Sequence, residues 1–337
     1  MKVLPEGRRG WLMIFLRITL VLAGIAAFVA FTTSMPGKSY AGKPAPLSPE
    51  EKQLSANLKS HVERLAGTIG ERNIIHYKSL QEGAEYLEKS LSGDGYAVGS
   101  QEYIADGKTV RNLVAELPGS LRPSEIVVVG AHYDTVFDCP GADDNTSGTA
   151  ALLELARLLR ATHPARTVRF VAFVNEEPPY FQTANMGSWV YAKKAQAAHD
   201  NIVAALSLET VGMYSDAADS QHYPAGFGLL YPSQGNFIAF VGNVASRDLA
   251  RDTIRSFRRS TGFPSQGSAV PGWIAGVGWS DHWSFWQEGY PAVMVTDTAL
   301  FRNPNYHQPS DKPDTLDYDR TARVVRGLAA VVSDLAK

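Results

Sequence analysis

The sequence predicts an α/β protein, a three-layer α/β/α sandwich built on a mixed, mostly parallel central sheet. Two observations carry this. Four short, predominantly apolar and non-alternating runs (Ile126–Val129, Val168–Val174, Ile202–Leu208 and Ala292–Val295) have the character of strands buried on both faces, as a sheet covered by helices requires. Between and after them stand segments with apolar residues at helical spacing: Thr149–Leu159, Gly187–Ala198, Ala245–Arg258 and Tyr318–Leu335. With 337 residues and 45% hydrophobic content, the chain can bury an ample core.

Taken in order, the first forty residues differ in kind from the rest. Arg8 and Arg9 precede an apolar stretch broken by Arg17, and an uncharged run follows from Ile18 to Gly37. A membrane span needs roughly 20 apolar residues, a length reached here if Arg17 snorkels toward the interface. A cleaved signal peptide has a shorter apolar core, about 7–15 residues. The reading is therefore a cytoplasmic stub and uncleaved single-pass anchor over residues 1–37. The basic pair would lie on the cytoplasmic side of the inner membrane and everything beyond the span in the periplasm; secretion after signal cleavage is the alternative. Residues 38–49, with three prolines, read as a linker, and residues 50–337 as the functional domain.

Ser48-Pro49-Glu50-Glu51 marks a helix start, with a serine cap, proline at the first position and acids in the first turn. A second helix fits Leu80 to Leu91. Two strands follow, near Ala97–Tyr103 and Arg111–Leu117, joined through the turn Asp106-Gly107. The formal charge of −2 leaves no basic excess to neutralise phosphates, which argues against a nucleic-acid partner. The single cysteine, Cys139, has no partner for a disulfide; it reads as a small loop residue in preference to a metal ligand.

Chemistry-bearing residues gather where the apolar runs stop. His132 and Asp134 follow the first run, and Asp143-Asp144 precede the helical pattern from Thr149. Glu176-Glu177 follow the second run, Glu209 follows the third, and His307 lies in a loop near the C-terminus. In open α/β sheets ligands bind at the carboxyl ends of the strands, so these residues can converge. Two histidines and several carboxylates suit a paired zinc site, since zinc accepts imidazole nitrogen and carboxylate oxygen. His132 and Asp134, two apart on an extended segment, face the same way, as an oriented imidazole and its carboxylate would. Adjacent acids at the end of a buried strand need a cation or a proton nearby.

Six segments in this order, His132-Tyr-Asp, Gly141-Ala-Asp-Asp-Asn-Thr-Ser-Gly, Asn175-Glu-Glu, Ser207-Leu-Glu, Ser280-Asp-His and Tyr306-His-Gln-Pro-Ser-Asp, resemble the di-zinc aminopeptidase family. That family includes bacterial leucyl aminopeptidases, glutamate carboxypeptidases and glutaminyl cyclases. The resemblance runs from about Arg111 to the C-terminus. It implies two zinc ions per chain, one held by His132 and Glu209, the other by Glu177 and His307, with Asp144 bridging. It further implies Asp134 as the partner of His132, Glu176 as general base and Tyr306 as a hydroxyl that steadies the oxyanion.

Two departures bear on substrate preference: glutamate at 209, where secreted members usually have aspartate, and a long aromatic and Pro-rich segment from Pro178 to Met186. Asp281 and His282 are read as supporting or substrate-contacting residues rather than metal ligands. The cluster of Trp273, Trp279, Trp283 and Trp286 is read first as core packing. The expected activity is an exported zinc exopeptidase acting on peptides, most simply an aminopeptidase. Rival readings are a single-zinc glutaminyl-cyclase-like enzyme, a carboxypeptidase of the same fold using Arg302, and a non-catalytic receptor-like member. Oligomeric state is left open.

Overall fold

The computed structural model describes residues 7–224 and 226–337, so the first six residues of the expected stub lie outside the described residues. Helix α1 spans Gly7–Thr33 and is the one helix among the described residues long and apolar enough to cross a membrane. Helix α2, Pro49–Val62, begins as its sequence dictates: the Ser48 hydroxyl accepts from the Glu51 N–H and the Glu51 carboxylate accepts from the Ser48 N–H. A wide, π-helical stretch, Glu63–Ile69, continues from it, and α3 follows at Tyr77–Gly93.

Strands β1 (Val98–Ala105) and β2 (Lys108–Leu117) form a hairpin. Asp106 and Gly107 both take positive φ, 46° and 74°, as a two-residue turn matched to strand twist demands. The βα alternation follows: β3 Arg122–His132, α4 Gly148–Leu159, β4 Arg166–Phe173, α5 Gly187–Ala197 and β5 Asn201–Glu209. Then come β6 Ile238–Gly242, α6 Arg247–Ser260, β7 Ser265–Ala269, α7 His282–Gln287, β8 Ala292–Thr296 and α8 Tyr318–Leu335.

The eight strands form one sheet in the order β1-β2-β4-β3-β5-β8-β6-β7. Strands β4, β3, β5 and β8 run parallel; β2 joins antiparallel to β4 at one side. At the other side β6 pairs antiparallel to β8 and parallel to β7. The α/β expectation and the mixed sheet are both observed. The continuous apolar runs are buried on both faces, as anticipated. Val127, Val129 and Phe170 enter the larger core beneath α2, α4 and α8, whereas Ile126, Val128, Val171 and Phe173 pack beneath α5 and α7.

Two strands escaped the sequence reading. Strand β6 is short, and β7 reads Ser-Gln-Gly-Ser-Ala, polar because it is an edge strand. A Cβ at Gly267 would stand 3.0 Å from Ile254, 3.2 Å from Met35 and 3.3 Å from the Phe240 carbonyl, so close packing there selects glycine over a typical strand former. Residues 38–49 make fixed contacts with the domain: the Ser39 hydroxyl accepts from the Ser265 N–H, and Arg323 donates to the Ala45 carbonyl.

Candidate metal centre

The parallel strands deliver their polar residues to one place. His132 ends β3, Glu209 ends β5, and Glu176 and Glu177 lie three and four residues beyond β4. Asp144 and His307 arrive on loops. His132 Nε2 lies 3.3 Å from Asp144 Oδ1 and 3.3 Å from Glu209 Oε2. His307 Nε2 lies 3.0 Å from Asp144 Oδ2 and 3.3 Å from Glu177 Oε2. Asp144 thus gives one oxygen to each imidazole and stands between them. Glu176 Oε2 is farther from His132 Nε2, at 3.8 Å.

The loops are fixed from beneath. Asp311 accepts the Asp143 N–H with one oxygen and the Asp144 N–H with the other, at 2.9 and 3.1 Å. Asn145 receives the Gly148 and Thr210 N–H groups and donates to the Leu208 carbonyl, tying the loop to the end of β5. The Ser280 hydroxyl donates to Glu209 Oε2 at 2.6 Å. Asp134 accepts the Glu176 and Glu177 N–H groups, both at 3.1 Å, and lies 3.6 Å from His132 Nδ1. Arg72, completely buried, donates to the carbonyls of Leu65, Gly70, Tyr133 and Pro140 and to the Thr146 hydroxyl, bracing the loops on either side of Cys139.

Carboxylates and burial together set the electrostatics of the cluster. Burial lowers the pKa of His132, but the Glu176 and Glu209 carboxylates outweigh it and raise it well above its ordinary value. His307 is pushed up to about 10: burial opposes the shift, and Asp144 and Glu177 overcome it. Burial raises Glu177 to about 7, with Asp144 adding to the effect, and raises Glu176 further. Asp144 is held below the usual carboxylate range because both histidines outweigh its burial. The buried carboxylates thus make the site one that favours positive charge beside them. His132 Nε2, His307 Nε2, Asp144 Oδ1 and Glu177 Oε1 are buried without a hydrogen-bond partner, as atoms arranged for metal would be. Donor atoms of His132, Asp144 and Glu177, and again of His132, Glu176 and Glu209, lie within 4.8 Å of one another. The donor set fits divalent zinc.

Beside this centre opens a cavity of about 110 Å³, walled by Phe227, Tyr231, Phe237, Val241, Ile274, Val277, Trp279, Met294 and Phe301, with Glu209 and Tyr306 at its floor. The Tyr306 ring stacks on His307 at 3.9 Å. Asp281 and His282 are fully buried and do not line the cavity. Burial pushes the Asp281 carboxyl up to about 7 and the His282 imidazole down to about 4, and His282 Nε2 lies 2.7 Å from the Val277 carbonyl. Of the four tryptophans, Trp279 lines the cavity, Trp283 meets Trp189 edge-on, Trp286 packs on His282 and Trp273 is exposed. In the Pro178–Met186 segment, Gln182 Nε2 donates to the Gly278 carbonyl across the rim. Cys139 is buried; its thiol donates to the Gln308 carbonyl, and burial pushes its pKa up to about 12. Arg302 is turned inward, donating to the Met213 and Phe237 carbonyls and to Gln221.

Sequence reasoning assigned no part to Asp311, Ser280 or Arg72. The first two lay within quoted motifs and were legible as polar neighbours of the candidate ligands. Arg72 stands in Gly70-Glu71-Arg72-Asn73 with no pattern to mark it.

Comparison with known proteins agrees with this geometry. The chain is 36% identical over 298 residues to the uncharacterized protein YfbL of Escherichia coli (strain K12), covering 86% of this chain and 89% of that one. It is 26% identical over 278 residues to the probable leucine aminopeptidase 1 of Trichophyton verrucosum (strain HKI 0517), covering 76% and 68%. Among solved structures, the LapA aminopeptidase of Legionella pneumophila shares the fold with a TM-score of 0.69 at 20% identity, covering 89% and 78%. BSAP, a zinc aminopeptidase from Bacillus subtilis, does so at 0.68 and 16% identity, covering 84% and 95%. The glutaminyl cyclase of Fimbriiglobus ruber follows at 0.61 and 21%, covering 89% and 99%. The model of peptidase family M28 matches residues 112–332, and the chain is a metallo-exopeptidase belonging to that family.

Proposed function

We propose that this chain is a membrane-anchored, di-zinc aminopeptidase that removes bulky apolar residues from the N-termini of peptides. One observation carries the two-ion reading: Asp144 places an oxygen 3.3 Å from His132 and the other 3.0 Å from His307, in a buried, proton-hungry cluster. His132 and Glu209 would hold one ion, His307 and Glu177 the other, and Asp144 both. Zinc bound there lowers the pKa of water toward neutrality and polarises the scissile carbonyl.

The chain's own residues supply the rest. Glu176, the carboxylate set back from both histidines, takes the proton of the attacking water and passes it to the leaving amine. Its burial raises its pKa well above the ordinary carboxylate value, the direction a proton shuttle requires. Tyr306 remains protonated, because burial and then the nearby carboxylates hold its pKa well above the ordinary value; its hydroxyl can donate to the developing oxyanion. The carboxylate-rich floor favours a free α-amine. The apolar cavity is of the order of the ~150 Å³ cavity that accepts benzene, and so suits a large apolar side chain.

The rivals fare less well. A carboxypeptidase would need a cation for the terminal carboxylate, and Arg302 is spent on backbone carbonyls. A one-zinc cyclase would leave His132 and Glu209, 3.3 Å apart, without an ion to hold. The apolar helix Gly7–Thr33, with Arg8 and Arg9 in its first turn, supports a retained anchor with the domain outside the cytoplasm. Leucyl, phenylalanyl and aspartyl peptides, each with free and acetylated N-termini, test the activity. Cleavage of the free leucyl and phenylalanyl peptides is expected, with the acetylated ones inert; cleavage from the carboxyl end, or cyclisation of N-terminal glutamine, would refute it.

A further inference from the structure

Helix α6 carries Arg247, Arg251, Ile254 and Arg258 on one face, at i, i+4, i+7 and i+11. Along this stripe lies the chain leaving α1. Arg247 Nε donates to the Phe31 carbonyl at 2.7 Å, and its guanidinium sits 3.9 Å over the Phe31 ring. Arg251 donates to the Ser34 carbonyl, and Arg258 donates to the Pro36 and Gly37 carbonyls at 2.9 and 3.1 Å. Met35 packs at Gly267 beside Ile254, and Thr32 is buried. Carbonyls at the end of a helix lack intrahelical partners and carry partial negative charge, so this arginine row is their complement. Residues 31–39 are therefore clasped to the domain instead of forming a free tether.

The clasp also has a direction. Strand β6 runs antiparallel to β8, so α6, which follows β6, begins at the sheet end where β8 begins; Ser246, its cap, accepts from the Ala292 N–H. Phe31 lies at that end, beside Arg247. Ser39 lies at the other, beside Ser265, where β7 starts. Helix α1 thus arrives from the amino ends of β3, β4, β5 and β8, opposite the ends that carry the metal centre.

We infer that the bilayer lies against the amino-end face of the sheet, with the arginine clasp holding the domain upright and the metal centre facing the aqueous phase. The inference rests on α1 being a retained membrane span. The 11 residues of β3 place His132 roughly 30 Å from that face, at ~3.3 Å per residue. On the same face, beyond the last residues of β6 and β7, Val244 and Trp273 are exposed, Trp273 at 85%. An exposed tryptophan on a face turned toward lipid suits the headgroup layer. The substrate is then a peptide free in solution rather than one lying on the lipid surface.

Full-length protein in vesicles of phosphatidylcholine with a minority of phosphatidylglycerol tests this. A fluorophore is attached at Val244→Cys, Trp273→Cys or, at the opposite end, Ile75→Cys, with headgroup-attached quenchers in the lipid. The buried Cys139 is checked by labelling the parent protein. Quenching at 244 and 273 but not at 75 is expected, with peptidase activity unchanged. Quenching at 75 alone, or equally at all three, overturns the orientation while leaving the anchor intact. The double variant Arg247→Ala/Arg251→Ala, and separately a Gly-Ser insertion between Thr33 and Ser34, should abolish the difference yet keep the protein active and membrane-bound. A difference that survives both removes the clasp. Recovery of the parent protein in the soluble fraction with an N-terminus beyond Thr33 would defeat the anchor reading itself.

Discussion

At the scale of residues, neighbours in sequence are given different work by their distances. Glu176 and Glu177 are both buried, yet Glu177 pairs with His307 at 3.3 Å while Glu176 stands 3.8 Å from His132. On the proposed roles, Glu176→Gln should retain zinc and lower kcat by about 10²–10⁴-fold, the usual share of a general base. Glu177→Ala and Asp144→Ala should instead lose metal, and elemental analysis beside turnover separates the two outcomes. Asp311 touches no candidate ligand side chain but fixes the Asp143 and Asp144 N–H groups. Asp311→Ala should weaken zinc binding by about 10–100-fold, as loss of such supporting groups does, read by competition with a chelator. His132, the glutamate pair and Glu209 were legible in sequence because each sits at or just beyond the end of an apolar run, whereas Asp144 and His307 stand on loops and were legible only through the motifs around them. The bracing by Arg72 and the service of Asp134 to two backbone N–H groups were not, since a side chain's reach to distant main chain leaves no periodic trace.

At the scale of elements, the strands that read clearly were those buried on both faces, where only apolar residues can stand. Strand β7 was missed because five residues at a sheet edge need not be apolar, and because Gly267 answers to its neighbours rather than to strand propensity; β6, Ile-Ala-Phe-Val-Gly, is apolar but only five residues long. The same logic governs Gly187, the first residue of α5. A Cβ there would stand 2.2 Å from the Val174 carbonyl oxygen and 2.5 Å from Asn112 Oδ1, so neither backbone nor side chain can yield cheaply. Gly187→Ala should destabilise the fold by about 1–3 kcal/mol, the common cost of overpacking, measured as a lowered denaturation midpoint. Because α5 follows directly on the Glu176–Met186 segment, the variant should also disturb the metal centre.

For the whole molecule, the charge cluster couples stability to pH. Glu177 is raised from 4.5 to about 7, and His307 from 6.5 to about 10. Both shifts are upward, so the metal-free folded state binds more protons than the unfolded chain between about pH 4.5 and 10. Stability from these groups is complete below the unfolded values and is lost as pH climbs through the folded ones. Metal-stripped protein should therefore show a denaturation midpoint that falls from pH 5 to 9. Zinc, which replaces the protons, should restore it most strongly at the alkaline end. A midpoint of stripped protein that rises over this range would contradict the charge arrangement.

The reversal of direction between β8 and β6 has a consequence of another kind. The strands that deliver His132, the glutamate pair and Glu209 belong to the parallel half of the sheet, while most of the apolar cavity is walled by β6, β7 and the loops that flank them. On the proposed function, hydrolytic competence and side-chain preference would thus be housed in separable parts of one chain. Drift in the reversed half can change which peptides are accepted without disturbing the chemistry, so descendants of such a fold can change diet while keeping their teeth.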